Sequence, residues 1–136
     1  MNTPEEIARA LDDTTTWFVV GLGNNPGRDA FHIALMLQGH GKRIVPIHPR
    51  AEVVHGEQGY ATIADAARVV GAPDVVDVFV RSDRAGEFVD PAIDAGARFV
   101  WFQLGVVDHD AARRAEQAGL SMIMDRCPAI EYNRRG

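Results

Sequence analysis

The sequence predicts an α/β fold: one doubly wound, parallel, five-stranded sheet with helices on both faces. Three observations carry this. Short β-favouring runs alternate with helix-like stretches along the whole chain. The runs are apolar at successive positions, as strands covered on both faces require. Strands that alternate with helices pair in parallel through right-handed crossovers, which leaves the doubly wound arrangement as the main candidate.

Within the lead-in 1–16, Thr3-Pro4-Glu5-Glu6 opens a short helix. Thr3 is the expected N-cap, Pro4 takes the first helical position and Glu6 closes a capping box. The first strand reads from Trp17 to Leu22 and enters the turn formers Gly23-Asn24-Asn25-Pro26-Gly27. Asp29 is expected to cap a helix from Ala30 to Gln38, ended by Gly39 and Gly41. Arg43 to Ile47 is the second strand, although Pro46 removes one ladder donor. A helix from Thr62 to Val70 stops at Gly71 and Pro73, and the third strand runs from Val75 to Val80. Asp83 to Ala95 reads as a helix whose first half Pro91 makes irregular. Arg98 to Gln103 is the fourth strand, Asp108 caps a helix closed by Gly119, and Ser121 to Asp125 is the fifth. The pattern assigns no element beyond Asp125.

A chain of 136 residues is the size of one domain, expected over 1–136. Fourteen basic residues against 19 acidic ones leave a net charge of -5. With no basic run except Arg134-Arg135, nucleic acid is excluded as a partner, because its binding rests on many Lys/Arg–phosphate contacts. No apolar run approaches the roughly 20 residues of a membrane span. Glu5, Glu6, Asp12 and Asp13 fit neither a signal peptide nor a transit peptide. The single cysteine, Cys127, cannot form an internal disulfide, which fits a reducing, cytoplasmic setting. His32, His40, His48, His55 and His109 share no metal-ligand spacing, so no metal is expected.

In doubly wound sheets ligands bind beyond the carboxyl ends of the strands. That rule selects the loops at 23–28, 48–50, 81–82 and 103–106. The first, from Gly21 through Gly23, Asn24, Asn25 and Pro26, leads into a helix N-terminus, where backbone N–H groups can hold phosphate. It is not the dinucleotide fingerprint, because the third glycine falls on Pro26. Glycines alone also read as a tight turn without a ligand. An NAD site would place an acid after the second strand. Here His48, Pro49 and Arg50 follow it, with no acid until Glu52, which suits a phosphorylated ribose as in NADP or coenzyme A. Arg28, Arg50 and Arg81 fall on one rim, although each alone reads equally well as a surface charge.

These residues carry a resemblance. Val19-Val20-Gly21, Pro26 with Arg28, Ile44 to Ile47, Pro49-Arg50 and Val75 to Phe79 are similar to small stand-alone CoA-binding proteins. So are Trp101, Gln103-Leu104-Gly105 and Met124 to Glu131. These proteins are relatives of the N-terminal domain of the succinyl-CoA synthetase alpha subunit. The resemblance spans about Trp17 to Tyr132. It implies a Rossmann-like fold with coenzyme A, or an acyl-CoA, lying across the carboxyl ends of the strands. By the same resemblance Gly23, Asn24, Asn25 and Pro26 form the pyrophosphate-side loop beside Arg28. Arg50 meets the nucleotide phosphate, and Arg81, Ser82 and Gln103 line the groove farther along. Asp29-Ala30-Phe31 and His48 depart from the family's usual residues. The ligase relatives use a phosphohistidine from a second domain, so binding without catalysis is the expectation here, as a monomer or a homodimer. The alternative is a small NADP-dependent oxidoreductase using the same glycine loop. Cys127 reads as a small buried or rim residue, or as a thiol beside that of CoA. Asp77, inside an apolar strand, must be hydrogen-bonded, paired or neutral.

Overall fold

All five apolar runs form strands, and every pairing between them is parallel. In the computed structural model, which describes residues 1–135, they are β1 (Thr16–Val20), β2 (Arg43–Ile47), β3 (Val75–Val78), β4 (Phe99–Phe102) and β5 (Ser121–Ile123). The spatial order is β2-β1-β3-β4-β5. Winding therefore reverses between β1 and β3, which opens the crevice where such sheets bind ligands. The fold is Rossmann-like, as the alternation of strands and helices predicts.

The helices are α1 (Pro4–Asp12), α2 (Asp29–Gly39), α3 (Ile63–Val70), α4 (Ser82–Ala85), α5 (Val89–Asp94), α6 (His109–Gln117) and α7 (Pro128–Arg134). Alternate strand residues feed two cores. Phe18, Val20, Val78 and Phe102 pack with Ile63 of α3, Val89 of α5 and Ala111 of α6. Trp17, Val19 and Trp101 pack with Leu11 of α1 and Ala34 and Leu37 of α2. Trp17 and Trp101 meet with ring centroids 5.6 Å apart. Burying such a side chain is worth roughly 1.5–3 kcal/mol, which explains runs apolar on both faces. No helix is long and apolar enough to cross a membrane among the described residues.

Pro46 is tolerated because β2 is an edge strand. Its carbonyl accepts the Tyr60 N–H at 2.9 Å, and the His48 N–H donates to the Tyr60 carbonyl at 3.0 Å, so the chain folds back along that edge.

Several boundaries differ from expectation. β1 stops at Val20, because Gly21 takes φ +95 and breaks the extended run. β3 stops at Val78 and β5 at Ile123. Asp29 is not a cap. The extended cap residue is Arg28, and Asp29 is the first helical residue of α2. The stretch around Pro91 is irregular as expected, split into α4, a tight turn over Gly86–Phe88, and α5. α7, unassigned from the pattern, begins with Pro128 at its first position. The capping box of Thr3 and Glu6 and the Asp108 cap both form.

Candidate functional site

The site is built where β1 and β3 end. Gly21 sits there because only glycine fits: its φ is +95, and a Cβ would meet the Phe79 carbonyl oxygen at 3.3 Å. Its N–H donates to the Ile47 carbonyl at 2.8 Å, which joins the first loop to the end of β2.

The loop that follows shapes itself. Asn25 Oδ1 accepts the Gly27 N–H at 2.9 Å, and the Asn25 carbonyl accepts the Arg28 N–H at 3.1 Å. The Pro26 carbonyl lies 2.7 Å from His32 Nε2. Asn24 Nδ2 donates to the Val53 carbonyl at 2.9 Å, so the loop is tied to the segment after β2. The asparagine side chains are thus committed to holding the loop. α2 then starts without a side-chain cap, as do α4, α5 and α7, whereas Thr3, Thr62 and Asp108 cap α1, α3 and α6. An uncapped helix N-terminus leaves N–H groups and the positive dipole end open to an anion.

The segment between β2 and α3 makes the opposite wall. The His48 carbonyl accepts the Ala51 N–H at 2.8 Å, and His48 Nδ1 accepts the Arg50 N–H at 3.2 Å, so residues 48–51 form a tight turn. Buried Val54 anchors the segment in the core, and His55 packs edge-on against Phe31 with centroids 4.4 Å apart. The His48 ring lies against Gly23: a Cβ there would stand 3.5 Å from His48 Nε2 and 3.9 Å from Glu52 Oε1. Glu52 is thus a wall residue that the sequence pattern does not single out, because its place depends on this segment folding back.

The arginines separate into two kinds. Arg81 is exposed on the rim and ion-paired to Asp83 at 3.2 Å. Arg28 and Arg50 form no ion pair with any described residue, and both are exposed. Pro49, between His48 and Arg50, is exposed on the turn. Ser82 Oγ donates to the Gly105 carbonyl at 3.2 Å and accepts the Val107 N–H at 2.9 Å, which latches the loops after β3 and β4 together.

Deeper in the sheet, Gln103 Nε2 donates to Asp77 Oδ1. Asp77 is wholly buried and its Oδ2 has no partner. Burial pushes its carboxyl up to about 8, against the pull of the Gln103 bond, so it is neutral at pH 7. Gln103 retains its carbonyl oxygen and its second amide N–H. Cys127 is a half-buried free thiol before α7. A cavity of about 510 Å³ lies at the other end of the sheet, beside Arg9, Arg98 and Ser121. Its arginines are already engaged, Arg9 with Ser121 and Arg98 with Asp74.

Comparison with known proteins bears on this geometry. A CoA binding domain family matches residues 15–133. The uncharacterised protein YneT of Bacillus subtilis is 27% identical over 127 residues, 93% of this chain and 92% of YneT. A hypothetical protein from Pyrococcus horikoshii is 33% identical, with a TM-score of 0.89 over 97% of this chain and 91% of its own. Prb, a PH1109 protein redesigned for binding, is 35% identical, with a TM-score of 0.90 over 98% of this chain and 92% of its own. With a family match spanning nearly all of its length, this chain belongs to the CoA-binding domain family.

Proposed function

We propose that the protein binds coenzyme A or an acyl-CoA across the carboxyl ends of its strands, as a binding module without chemistry of its own. The observation that carries this is a pair of arginines without ion-pair partners among the described residues, Arg28 at the uncapped start of α2 and Arg50 in the turn after β2, in an acidic chain. Both arginines are exposed beside the loops after β1 and β2, where a ligand anion can pair with them. In this reading Gly21, Gly23, Asn24, Asn25 and Pro26 present the backbone to the pyrophosphate, with Arg28 beside it. His48, Pro49 and Arg50 receive the nucleotide end. A ligand anchored beyond β2 crosses about 14 Å, three interstrand spacings, to reach Gln103 beyond β4. Arg81 and Ser82 border that path. A cytoplasmic setting fits the reading, since the Cys127 thiol remains free.

The test is calorimetry and thermal unfolding with CoA, 3′-dephospho-CoA, NADP and NAD in parallel. CoA at about 100 times its dissociation constant should stabilise the fold by roughly 2.7 kcal/mol. Arg50→Ala should weaken CoA about tenfold and 3′-dephospho-CoA much less, the loss of one charge-assisted contact. Binding of NADP but not CoA would favour the oxidoreductase reading instead. Equal losses for both CoA forms would remove Arg50 from the 3′-phosphate.

A further inference from the structure

We propose that Glu52 is the residue that selects the sugar: it accepts a hydrogen bond from a free ribose hydroxyl next to the phosphate that Arg50 holds. The inference rests on the CoA reading and deepens it. Arg50 and Glu52 lie two residues apart, at and just past the tight turn His48–Ala51 that follows β2. One short segment therefore carries both a cation and a carboxylate, neither of them in an ion pair with a described residue. A Cβ on Gly23 would stand 3.9 Å from Glu52 Oε1 and 3.5 Å from His48 Nε2, so the carboxylate reaches the glycine loop on the same side as the His48 ring. It is half-buried and forms no ion pair with any described residue.

The backbone fixes it there from two sides. A Cβ on Gly59 would stand 2.3 Å from the Glu52 carbonyl oxygen, so the chain packs directly on that peptide. The next carbonyl, of Val53, is held by Asn24 of the glycine loop. A half-buried carboxylate without a cation needs donors, and it repels phosphate. The group it faces must carry O–H or N–H. A ribose with one phosphate and one free hydroxyl on neighbouring carbons meets both demands, the phosphate at Arg50 and the hydroxyl at Glu52. CoA carries its phosphate at 3′ and its free hydroxyl at 2′, so a ribose phosphorylated at 2′ and bound in the same orientation exchanges the two groups and places its charge against Glu52.

The experiment uses the whole chain and three small probes: adenosine 3′,5′-bisphosphate, its 2′-deoxy form and adenosine 2′,5′-bisphosphate. Calorimetry on the unmodified protein should show the first binding about tenfold tighter than each of the others, the range of one hydrogen bond to a charged acceptor. Glu52→Gln should bring adenosine 2′,5′-bisphosphate to within about threefold of the 3′,5′ isomer, since it removes the repelling charge and keeps the shape. Glu52→Ala should abolish the preference over the 2′-deoxy form. Equal binding of the three probes by the unmodified protein overturns the Glu52 role, and needs no variant to fold. So does an unchanged preference in a folded Glu52→Gln. In both cases CoA binding itself stands if CoA still binds. Failure of CoA and of every bisphosphate overturns the CoA reading, and the Glu52 role with it.

Discussion

Asp77 pairs in register with Val19 on one side and Trp101 on the other, so its carboxyl enters the same core as two tryptophans. An unpaired charge there is costly, and the group responds by keeping its proton up to about pH 8. The sign of the consequence is opposite to that of most carboxylates. The unfolded chain releases this proton near 3.8, whereas the folded chain holds it to about 8. Between those values the folded state binds more protons, so the stabilisation is full below about pH 4 and is lost as pH rises towards 8. Asp77→Asn removes the titration. Urea unfolding of this variant should give a flatter stability–pH curve than the parent between about pH 5 and 8.5, with the variant gaining relative to the parent at the alkaline end. Parallel curves would show that Asp77 is already ionised at neutral pH. That an acid inside an apolar run must be bonded or neutral is legible in the sequence. That it is bonded to Gln103 is not, because Gln103 lies 26 positions away, just past the end of the neighbouring strand.

At the scale of elements, the strands are legible because burial on both faces imposes apolar residues at nearly every inner position, Asp77 excepted, whichever helix supplies the cover. Their ends are less so. β1 looks continuous through Leu22, which is fully buried, yet the strand ends two residues earlier at Val20, just before the left-handed Gly21. α7 spans only seven residues, too few to show a period, and its one signal is Pro128 at the first position. The two roles of glycine predict opposite effects of adding a methyl group. Gly39 ends α2 at ordinary φ with open space around it, so Gly39→Ala should stabilise by roughly 0.5–1 kcal/mol. Gly21→Ala should cost about 1–2 kcal/mol from the left-handed backbone, and more from the 3.3 Å approach to the Phe79 carbonyl. Urea midpoints at unchanged slope measure both. Equal and small effects would mean that Gly21 relaxes freely, and that the turn after β1 is not held by the end of β3.

At the scale of the whole molecule, the net charge of -5 and a phosphate-rich ligand oppose one another, and distance decides which charge matters. Arg28 and Arg50 were legible as candidates because they directly follow a glycine loop and a strand end. Glu52 was not, since only the fold-back along β2 through Tyr60 and Gly59 carries it to the loop. The resulting field is attractive within the site and repulsive beyond it. At about 0.01 M salt the Debye length is about 30 Å, so an approaching CoA meets the negative charge of the whole molecule. At about 0.15 M it is about 8 Å, and the ligand meets chiefly the two arginines and the start of α2. Raising salt over this range should therefore increase the association rate constant for CoA, the reverse of the usual steering of an anion to a basic protein. Stopped-flow mixing at several salt concentrations measures it. A rate that falls steadily with salt would show the arginines governing approach from long range, and the distant acidic residues contributing little to it.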